Sequence, residues 1–359
     1  MSYLHSIQVA LPDFKTSQDS ISVFMQNWYG ADEEISRKIQ LMYARSGISY
    51  RHSCIDDFTG NSISPFFDNE SFPGISRRME KYFEIAPSLA NKASQKCINA
   101  SGFTKDKITH LITISCTGMA APGLDLMLIE SLNLPLDIQR TSVNFMGCYA
   151  GFHGLKMAHQ ITQADKNANV LLMSVELCTL HFQKDYSIDQ VAANLLFADG
   201  AAACIISSEK PNSTKSISLN SFYSMIIPKG INDMAWNISE SGFLMKLSAY
   251  IPDLLKDGIG PILENALVKS GLSKEDIHTW AIHPGGKKIL DKLKTELALD
   301  DAQLQASYQT LADFGNMSSA TIFFVLKHVL DNESYNENQI GFAAGFGPGL
   351  TVETLIFNK

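Results

Sequence analysis

The sequence predicts an α/β fold of two duplicated halves, layered helix, sheet, helix, sheet, helix around a pseudo-twofold axis. Three observations carry that prediction. S-G-F-T-K-D-K-I-T-H-L-I, from Ser101, returns 169 residues later as S-G-L-S-K-E-D-I-H-T-W-A, from Ser270. A second echo, 168 residues apart, pairs Phe145-Met146-Gly147-Cys148 with Asp313-Phe314-Gly315-Asn316; a third pairs Phe197-Ala198-Asp199-Gly200 with Phe346-Gly347-Pro348-Gly349. The echoes keep their order, and strands alternate with helices in both halves. That alternation implies a mainly parallel sheet, covered on both faces, in each half. The symmetry puts Cys148 and Asn316 at equivalent helix starts facing one shared centre.

Each element has its own warrant. Residues 15–45 read as two helices with Arg37, Lys38 and Arg45 on a basic face, and residues 76–100 as a long amphipathic helix ending near Ser101-Gly102. Thr109–Cys116 is apolar and β-rich, a buried strand. Pro122-Gly123 opens a helix toward Leu132, Arg140–Phe145 is a short strand, and Cys148–Gln163 is a helix of small and apolar residues. Asn169–Glu176 is a third buried strand, residues 189–197 are helical, and Gly200–Ser207 is another strand. The polar stretch Lys210–Lys215 holds Pro211 and marks a boundary, giving halves 1–209 and 210–359. Beyond it come helix 249–270, strand 278–283, helices 285–297 and 316–331, and strands 339–346 and 350–357. Two such sheets sharing a central helical layer give the five-layer thiolase-like αβαβα arrangement.

Bulk properties narrow the function. The chain has 359 residues, 45% hydrophobic and 18% charged, enough apolar content for a large core and little charge for a free surface. That balance points to an oligomer. A net charge of −8 and no Lys/Arg run beyond two residues exclude a phosphate-backbone binder. The first residues read as a strand, so no secretory signal is expected, and no apolar run approaches the ~18 residues that span a bilayer. Cys54, Cys97, Cys116, Cys148, Cys178 and Cys204 show neither C-x-x-C nor zinc spacing, which suits a cytoplasmic protein with reduced thiols and no metal.

Three residues carry chemistry. Cys148 lies in N-F-M-G-C-Y-A-G, between a strand and a helix of small residues. A lone cysteine in an apolar segment is usually inert. Here the helix start favours thiolate, which sets an expected pKa of roughly 5–7, and the small residues leave room for a thioester. His283, in A-I-H-P-G-G, ends a strand, and its Pro-Gly-Gly loop holds the imidazole over a pocket. Asn316, in D-F-G-N-M-S-S-A, reads alone as a helix cap. Together they supply a nucleophile, a partner for its thiolate, and N–H donors for a developing oxyanion.

N-F-M-G-C-Y-A-G, H-P-G-G, G-N-M-S-S-A and G-F-G-P-G-L together resemble the type III polyketide synthases, the chalcone-synthase-like enzymes of the thiolase superfamily. The resemblance runs from about Ile7 to Phe357. It implies Cys148 as nucleophile, His283 and Asn316 as decarboxylation and oxyanion residues, and Phe197 as a gatekeeper. It also implies a homodimer acting on acyl-CoA and malonyl-CoA without metal or redox cofactor. Positions matching the family's pocket are Cys116, Thr117, Cys178, His181 and Ser318, with Met245 at the second gatekeeper position, usually Phe. Ala121 replaces a loop residue, often Met, that reaches across the dimer. Both changes favour a roomier cavity and medium to long fatty acyl starters. Lys38 and Arg45 match CoA-phosphate positions; Leu41 replaces the basic residue between them, and Lys288 restores a charge. The implied reaction loads an acyl group on Cys148, extends it with malonyl-CoA, and closes a pyrone or resorcinol-type ring. The rivals are a single-condensation 3-oxoacyl synthase and a catalytically idle thiolase-fold subunit supporting a partner.

Overall fold

The structure, a computed structural model, describes residues 1–63, 65–68, 72–211, 216–248, 250–332 and 339–359. The chain begins with β1 (Ser2–Ala10), β2 (Phe14–Ser17), α1 (Gln18–Trp28), α2 (Glu33–Ala44), β3 (Tyr50–Ser53) and α3 (Ile75–Ser101). Next come β4 (His110–Ser115), α4 (Leu124–Leu132), β5 (Gln139–Asn144), α5 (Ala150–Ala164), β6 (Asn169–Leu177), α6 (Ile188–Leu196) and β7 (Asp199–Ser207). The second half runs β8 (Ile217–Ile226), β9 (Met234–Ser239), β10 (Gly242–Leu247), α7 (Ile251–Lys269), β11 (Ile277–Ile282) and α8 (Lys287–Glu296). It ends with α9 (Gln305–Phe314), α10 (Thr321–Asp331), β12 (Ile340–Gly347) and β13 (Thr351–Asn358).

Alternating side chains of the strands build the layers. In β7, Ala201, Ala203 and Ile205 join a core with α3, whereas Ala202, Cys204 and Ile206 join a second core with α5 and α10. In β12, Ala343 enters that same central core while Phe342, Ala344 and Phe346 face a third, shared with α7 and α8. Successive side chains of a strand point to opposite faces, so each sheet divides two cores. Three cores separated by the two halves of one continuous nine-stranded sheet make five layers. The central helices are correspondingly apolar: α10 buries Ile322, Phe323, Phe324, Val325, Leu326, Val329 and Leu330 around most of its circumference. Each such side chain contributes roughly 1.5–3 kcal/mol by burial.

The duplication is visible in the strand order, β11-β12-β13-β8-β1-β7-β6-β4-β5. Reading inward from β4, which β5 flanks at one end, and from β11 at the other, β4, β6, β7 and β1 repeat as β11, β12, β13 and β8. The two sets join where Ser2, Tyr3 and Leu4 pair antiparallel with Leu219, Ser218 and Ile217. The first echo holds in backbone detail. Gly102 (φ 80°) and Gly271 (φ 67°) make the same left-handed turn, each before a short 3-10 turn and then β4 or β11.

Three expectations change. The sheets are mixed rather than mainly parallel: β4–β5, β4–β6 and β11–β12 are parallel, and the other pairs of the large sheet are antiparallel. The turn from β12 to β13 is only Pro348–Leu350, far short of the dozen or more residues a parallel crossover needs. The helices expected at Cys148 and Asn316 start later, at Ala150 and Thr321, because left-handed residues precede them (Phe145 φ 61°, Gly147 φ 84°, Gly315 φ 71°, Ser318 φ 48°). Helix α9 and the β9–β10 hairpin join the expected elements. The boundary stretch Lys210–Lys215 falls partly on residues 212–215, outside the described residues. Among the described residues no helix is long and apolar enough to cross a membrane.

Candidate active site

The Cys148 turn is built by contact between the two halves. At Gly147 a Cβ would lie 2.2 Å from Pro348 Cδ, and φ is +84°, so the turn requires glycine there. The neighbouring turn presses equally closely: a Cβ on Gly347 would sit 3.2 Å from the Cys148 nitrogen. The Gly147 N–H donates to Cys116 Sγ at 2.9 Å. The small residues after Cys148 let its helix be buried. A Cβ on Gly151 would meet Ser319 O at 2.7 Å and Ile322 Cγ2 at 2.8 Å; one on Gly154 would meet Ile114 Cδ1 at 2.6 Å.

His283 follows β11 and is wholly buried. Its N–H donates to Ala344 O at 2.8 Å, and its ring stands edge-on to Phe346 with centroids 5.8 Å apart. Neither ring nitrogen has a hydrogen-bond partner among the described residues. Asn316 is tied by its backbone to the end of α6: its N–H donates to Leu196 O and its carbonyl accepts from Ala198 N–H, both at 2.9 Å. Asn316 Oδ1 accepts from Ser318 N–H at 2.9 Å and from the Thr321 hydroxyl at 3.3 Å, and lies 4.0 Å from Cys148 Sγ. Those donors fix which end of the amide is oxygen, leaving Nδ2 to donate to something else. The cap reading and the donor reading of Asn316 are therefore compatible.

Cys148, His283 and Asn316 line one narrow cavity together with Cys116, Thr117, Cys178, Phe197, Met245 and Ser318. The sequence missed Met234, Trp236 and Leu247, which enter from the hairpin. Trp236 is pinned there by its Nε1–H, which donates to Cys116 O at 2.8 Å. The alternation Met234, Trp236, Ile238 was the available signal. A second narrow cavity adjoins the first, and Cys178, Phe197, Trp236 and Met245 line both. Phe58, Phe182 and Phe243 line its far side. His181 belongs to this second cavity, not the first, and it is no free binding group. Its Nδ1 accepts from Phe243 N–H at 3.1 Å, so its Nε2–H donates to Thr117 O at 2.7 Å. Ala121 is exposed and lies outside both cavities.

The electrostatics overturn one expectation. Burial pushes the Cys148 thiol up to about 12, with nearby Glu176 adding to the rise and the Ser318 hydroxyl and Asn316 opposing it. Burial pulls His283 down to about 3. The expected low-pKa thiolate is absent because Cys148 precedes the helix by two residues and the imidazole beside the cavity is neutral. Glu176, also missed, is buried, and burial raises its carboxyl. Its Oε2 accepts from Cys116 N–H (2.9 Å) and the Thr117 hydroxyl (2.8 Å), and its Oε1 accepts from the Ser319 hydroxyl. That one carboxyl ties the end of β4 to the Asn316 turn.

The cationic positions sit at the surface. Lys38 is held by Glu34 at 2.6 Å. Arg45 and Lys288 are exposed and make no ion pair among the described residues. Lys287, which the sequence reading passed over, lies against Gly47, where a Cβ would touch its Cδ at 3.0 Å. It thereby brings the start of α8 beside the chain just after Arg45.

The five layers, the duplicated halves and the strand order define a thiolase-like fold. The family model for chalcone and stilbene synthases matches nearly all of it, its N-terminal domain over residues 2–210 and its C-terminal domain over residues 218–359. The chain belongs to that family, the type III polyketide synthases, and is an acyltransferase-type condensing enzyme. It is 31% identical over 326 residues to the alpha-pyrone synthesis polyketide synthase-like Pks18 of Mycobacterium tuberculosis, covering 89% of this chain and 82% of that one. "Probable polyketide synthase 1" of Dictyostelium discoideum is 31% identical over 365 residues; the match takes 98% of this chain and spans 11% of that longer protein. The crystal structure of PKS-I from the brown alga Ectocarpus siliculosus superposes with a TM-score of 0.94 at 25% identity, covering 100% of this chain and 98% of that one.

Proposed function

We propose that this enzyme loads a medium- or long-chain fatty acyl group from CoA onto Cys148, extends it with malonyl-CoA, and cyclises the product to an alkylpyrone or alkylresorcinol. The observation that carries the reading is convergence: a thiol, an imidazole with both nitrogens free, and an amide with a free N–H₂ meet on one apolar cavity. Both the thiol and the imidazole are neutral at rest. As acyl-CoA docks, Cys148 passes its proton to His283, and the sulfur attacks the thioester carbonyl. Coenzyme A leaves as its thiol. Malonyl-CoA then loses CO2, and the enolate oxygen is held by Asn316 Nδ2–H and the N–H of His283, which is neutral again once its proton has left with coenzyme A. The enolate carbon attacks the Cys148 thioester, freeing the sulfur and lengthening the chain by two carbons.

The length of the starter rests on the second cavity. Phe58, Phe182 and Phe243 give it an apolar wall beside the polar Arg51, Gln190 and Asn194; it abuts the first at Met245, and a thioether moves aside for an alkyl chain more easily than an aromatic ring. The name of the mycobacterial relative, which refers to alpha-pyrone synthesis, supports the pyrone as product. Arg45 and Lys288 are proposed to meet the CoA phosphates, with Lys38 and Lys287 contributing once released from Glu34 and Asp291. A homodimer is proposed from the free edge of β5, where Gln139, Arg140, Ser142 and Asn144 are exposed. The chemistry as proposed uses no metal or redox cofactor.

The test is incubation with malonyl-CoA and acyl-CoAs from acetyl to palmitoyl. Pyrone or resorcinol products support the reading, a 3-oxoacyl product alone indicates single condensation, and no product indicates an idle subunit. Asn316→Ala should keep starter loading while losing malonyl-CoA decarboxylation by about 10²–10³-fold, the usual cost of one oxyanion donor. His283→Ala should impair both steps. Equal damage to loading from both substitutions would show that Asn316 is only a cap.

A further inference from the structure

Arg51, on β3, is a cation buried to 5% exposure that makes no ion pair among the described residues. Its Nε donates to Gln18 Oε1 at 2.9 Å. Its Nη1 donates to two carbonyls at the end of α6, Asn194 O at 2.6 Å and Phe197 O at 2.7 Å. Helix C-termini present unpaired carbonyls and a partial negative charge, which is what lets a guanidinium sit there without a carboxylate. The stem of the same side chain touches a second segment. A Cβ on Gly315 (φ +71°) would lie 3.0 Å from Arg51 Cγ and 3.1 Å from Leu196 O. Phe197 and Asn316 form an isolated parallel bridge. Arg51 thus holds one partner of that bridge, Phe197, by a hydrogen bond, and its stem lies beside Gly315, the residue just before the other.

We propose that Arg51 is a positioning residue, which sets the Asn316 amide and the Phe197 ring in register over Cys148 by clamping the end of α6 against the Gly315-Asn316 turn. The proposal rests on the reading of Asn316 as the oxyanion donor. The bridge is only one residue pair long, so it has no ladder to hold it. Oxyanion donors act within a window of about 2.7–3.1 Å, and a 1 Å misplacement costs up to about 10²-fold. Lysine cannot replace arginine here, since the fork and not the charge spans Gln18 and the two carbonyls.

The experiment uses the full chain and three variants: Arg51→Lys, Gln18→Met, which leaves the guanidinium in place but frees its Nε, and Asn316→Ala. Malonyl-CoA decarboxylation, starter loading by intact mass, and thermal melting are measured on each. Arg51→Lys should lower decarboxylation kcat by about 10-fold or more, leave KM for malonyl-CoA within about twofold, and load starter normally. Gln18→Met should shift the same step in the same direction by less. On an Asn316→Ala background Arg51→Lys should add no further loss, because Arg51 acts through that amide. Wild-type decarboxylation by Arg51→Lys beside an impaired Asn316→Ala overturns this proposal alone, as does a loss that multiplies with that of Asn316→Ala. Wild-type decarboxylation by Asn316→Ala sinks the oxyanion reading, and this one with it. If Arg51→Lys does not fold, Gln18→Met decides the matter, and an unchanged rate there overturns the clamp.

Discussion

Cys148 and His283 are neutral for one shared reason, the absence of water and of a fixed counter-charge around them. The thiol should therefore alkylate slowly at neutral pH, with a rate rising about tenfold per pH unit as thiolate appears. It should still lead the other five cysteines, since burial, with nearby carboxylates adding to it, raises Cys54, Cys116 and Cys178 well above the ordinary thiol range, and Cys97 and Cys204 have no exposure. A pH-independent rate between 6 and 9 would contradict the neutral resting pair. The imidazole makes a separate forecast about stability. His283 falls from its ordinary 6.5 to about 3 on folding, so the folded state binds fewer protons between those values. Stability is full above pH 6.5 and drains as pH falls toward 3, at up to about 1.4 kcal/mol per pH unit for this one group. His283→Ala should flatten that acid slope by about one proton in urea titrations at pH 4.5, 5.5 and 6.5; an unchanged slope would mean that the wild-type imidazole is charged. The identities of Cys148, His283 and Asn316 were legible in the sequence because each sits beside glycines that mark a turn. Their ionisation was not, because burial is set by Phe346, Met245 and Trp236, which arrive from distant parts of the chain.

At the scale of elements, the β9–β10 hairpin decides how far the cavity extends. Met245 pairs with Trp236 across the hairpin, and both side chains stand between the two cavities. Trp236→Ala should join the cavities and move the best starter to longer chains. Each further buried methylene adds up to ~0.8 kcal/mol until the space is full. Met245→Phe should shift preference to short starters. Relative kcat/KM across acetyl- to palmitoyl-CoA reads both. A wild type that favours acetyl-CoA over every longer chain would remove the size argument. The buried strands were readable as apolar runs, and the echoes located β4 and β11 to within a residue or two. The hairpin was not foreseen, since Met234–Ser239 is short, half exposed and flanked by no repeat. Nor was the β12–β13 reversal, because a three-residue turn of Pro348, Gly349 and Leu350 looks from sequence like part of a loop.

Across the whole molecule, the two halves share one interior. Helix α5 contacts β4, β6 and β7 of its own half and β13 of the other, and α10 reciprocates with β1, β7 and β11. Lys156 on α5 donates to Glu353 on β13 at 2.8 Å and to Ser224 on β8 at 2.7 Å, so even the polar contacts cross the division. A fragment of residues 1–211 should then fail to give a cooperative thermal transition and should bind a hydrophobic dye, whereas the full chain melts as one unit. A sharp, independent melt of that fragment would show that the first half closes its own core. The duplication was legible in the sequence, but the seam of β1 with β8 was not, because three residue pairs of Ser2–Leu4 carry no distinctive pattern. Shared interior also has a cost in time. On the ribosome, α5 is made while its lid of α10 and β13 does not yet exist, and at about 5–20 residues per second the rest of the chain follows in roughly 10–40 s. For that interval the nascent first half shows a greasy flank to the cell, so its safe passage falls to whatever chaperone waits at the exit tunnel.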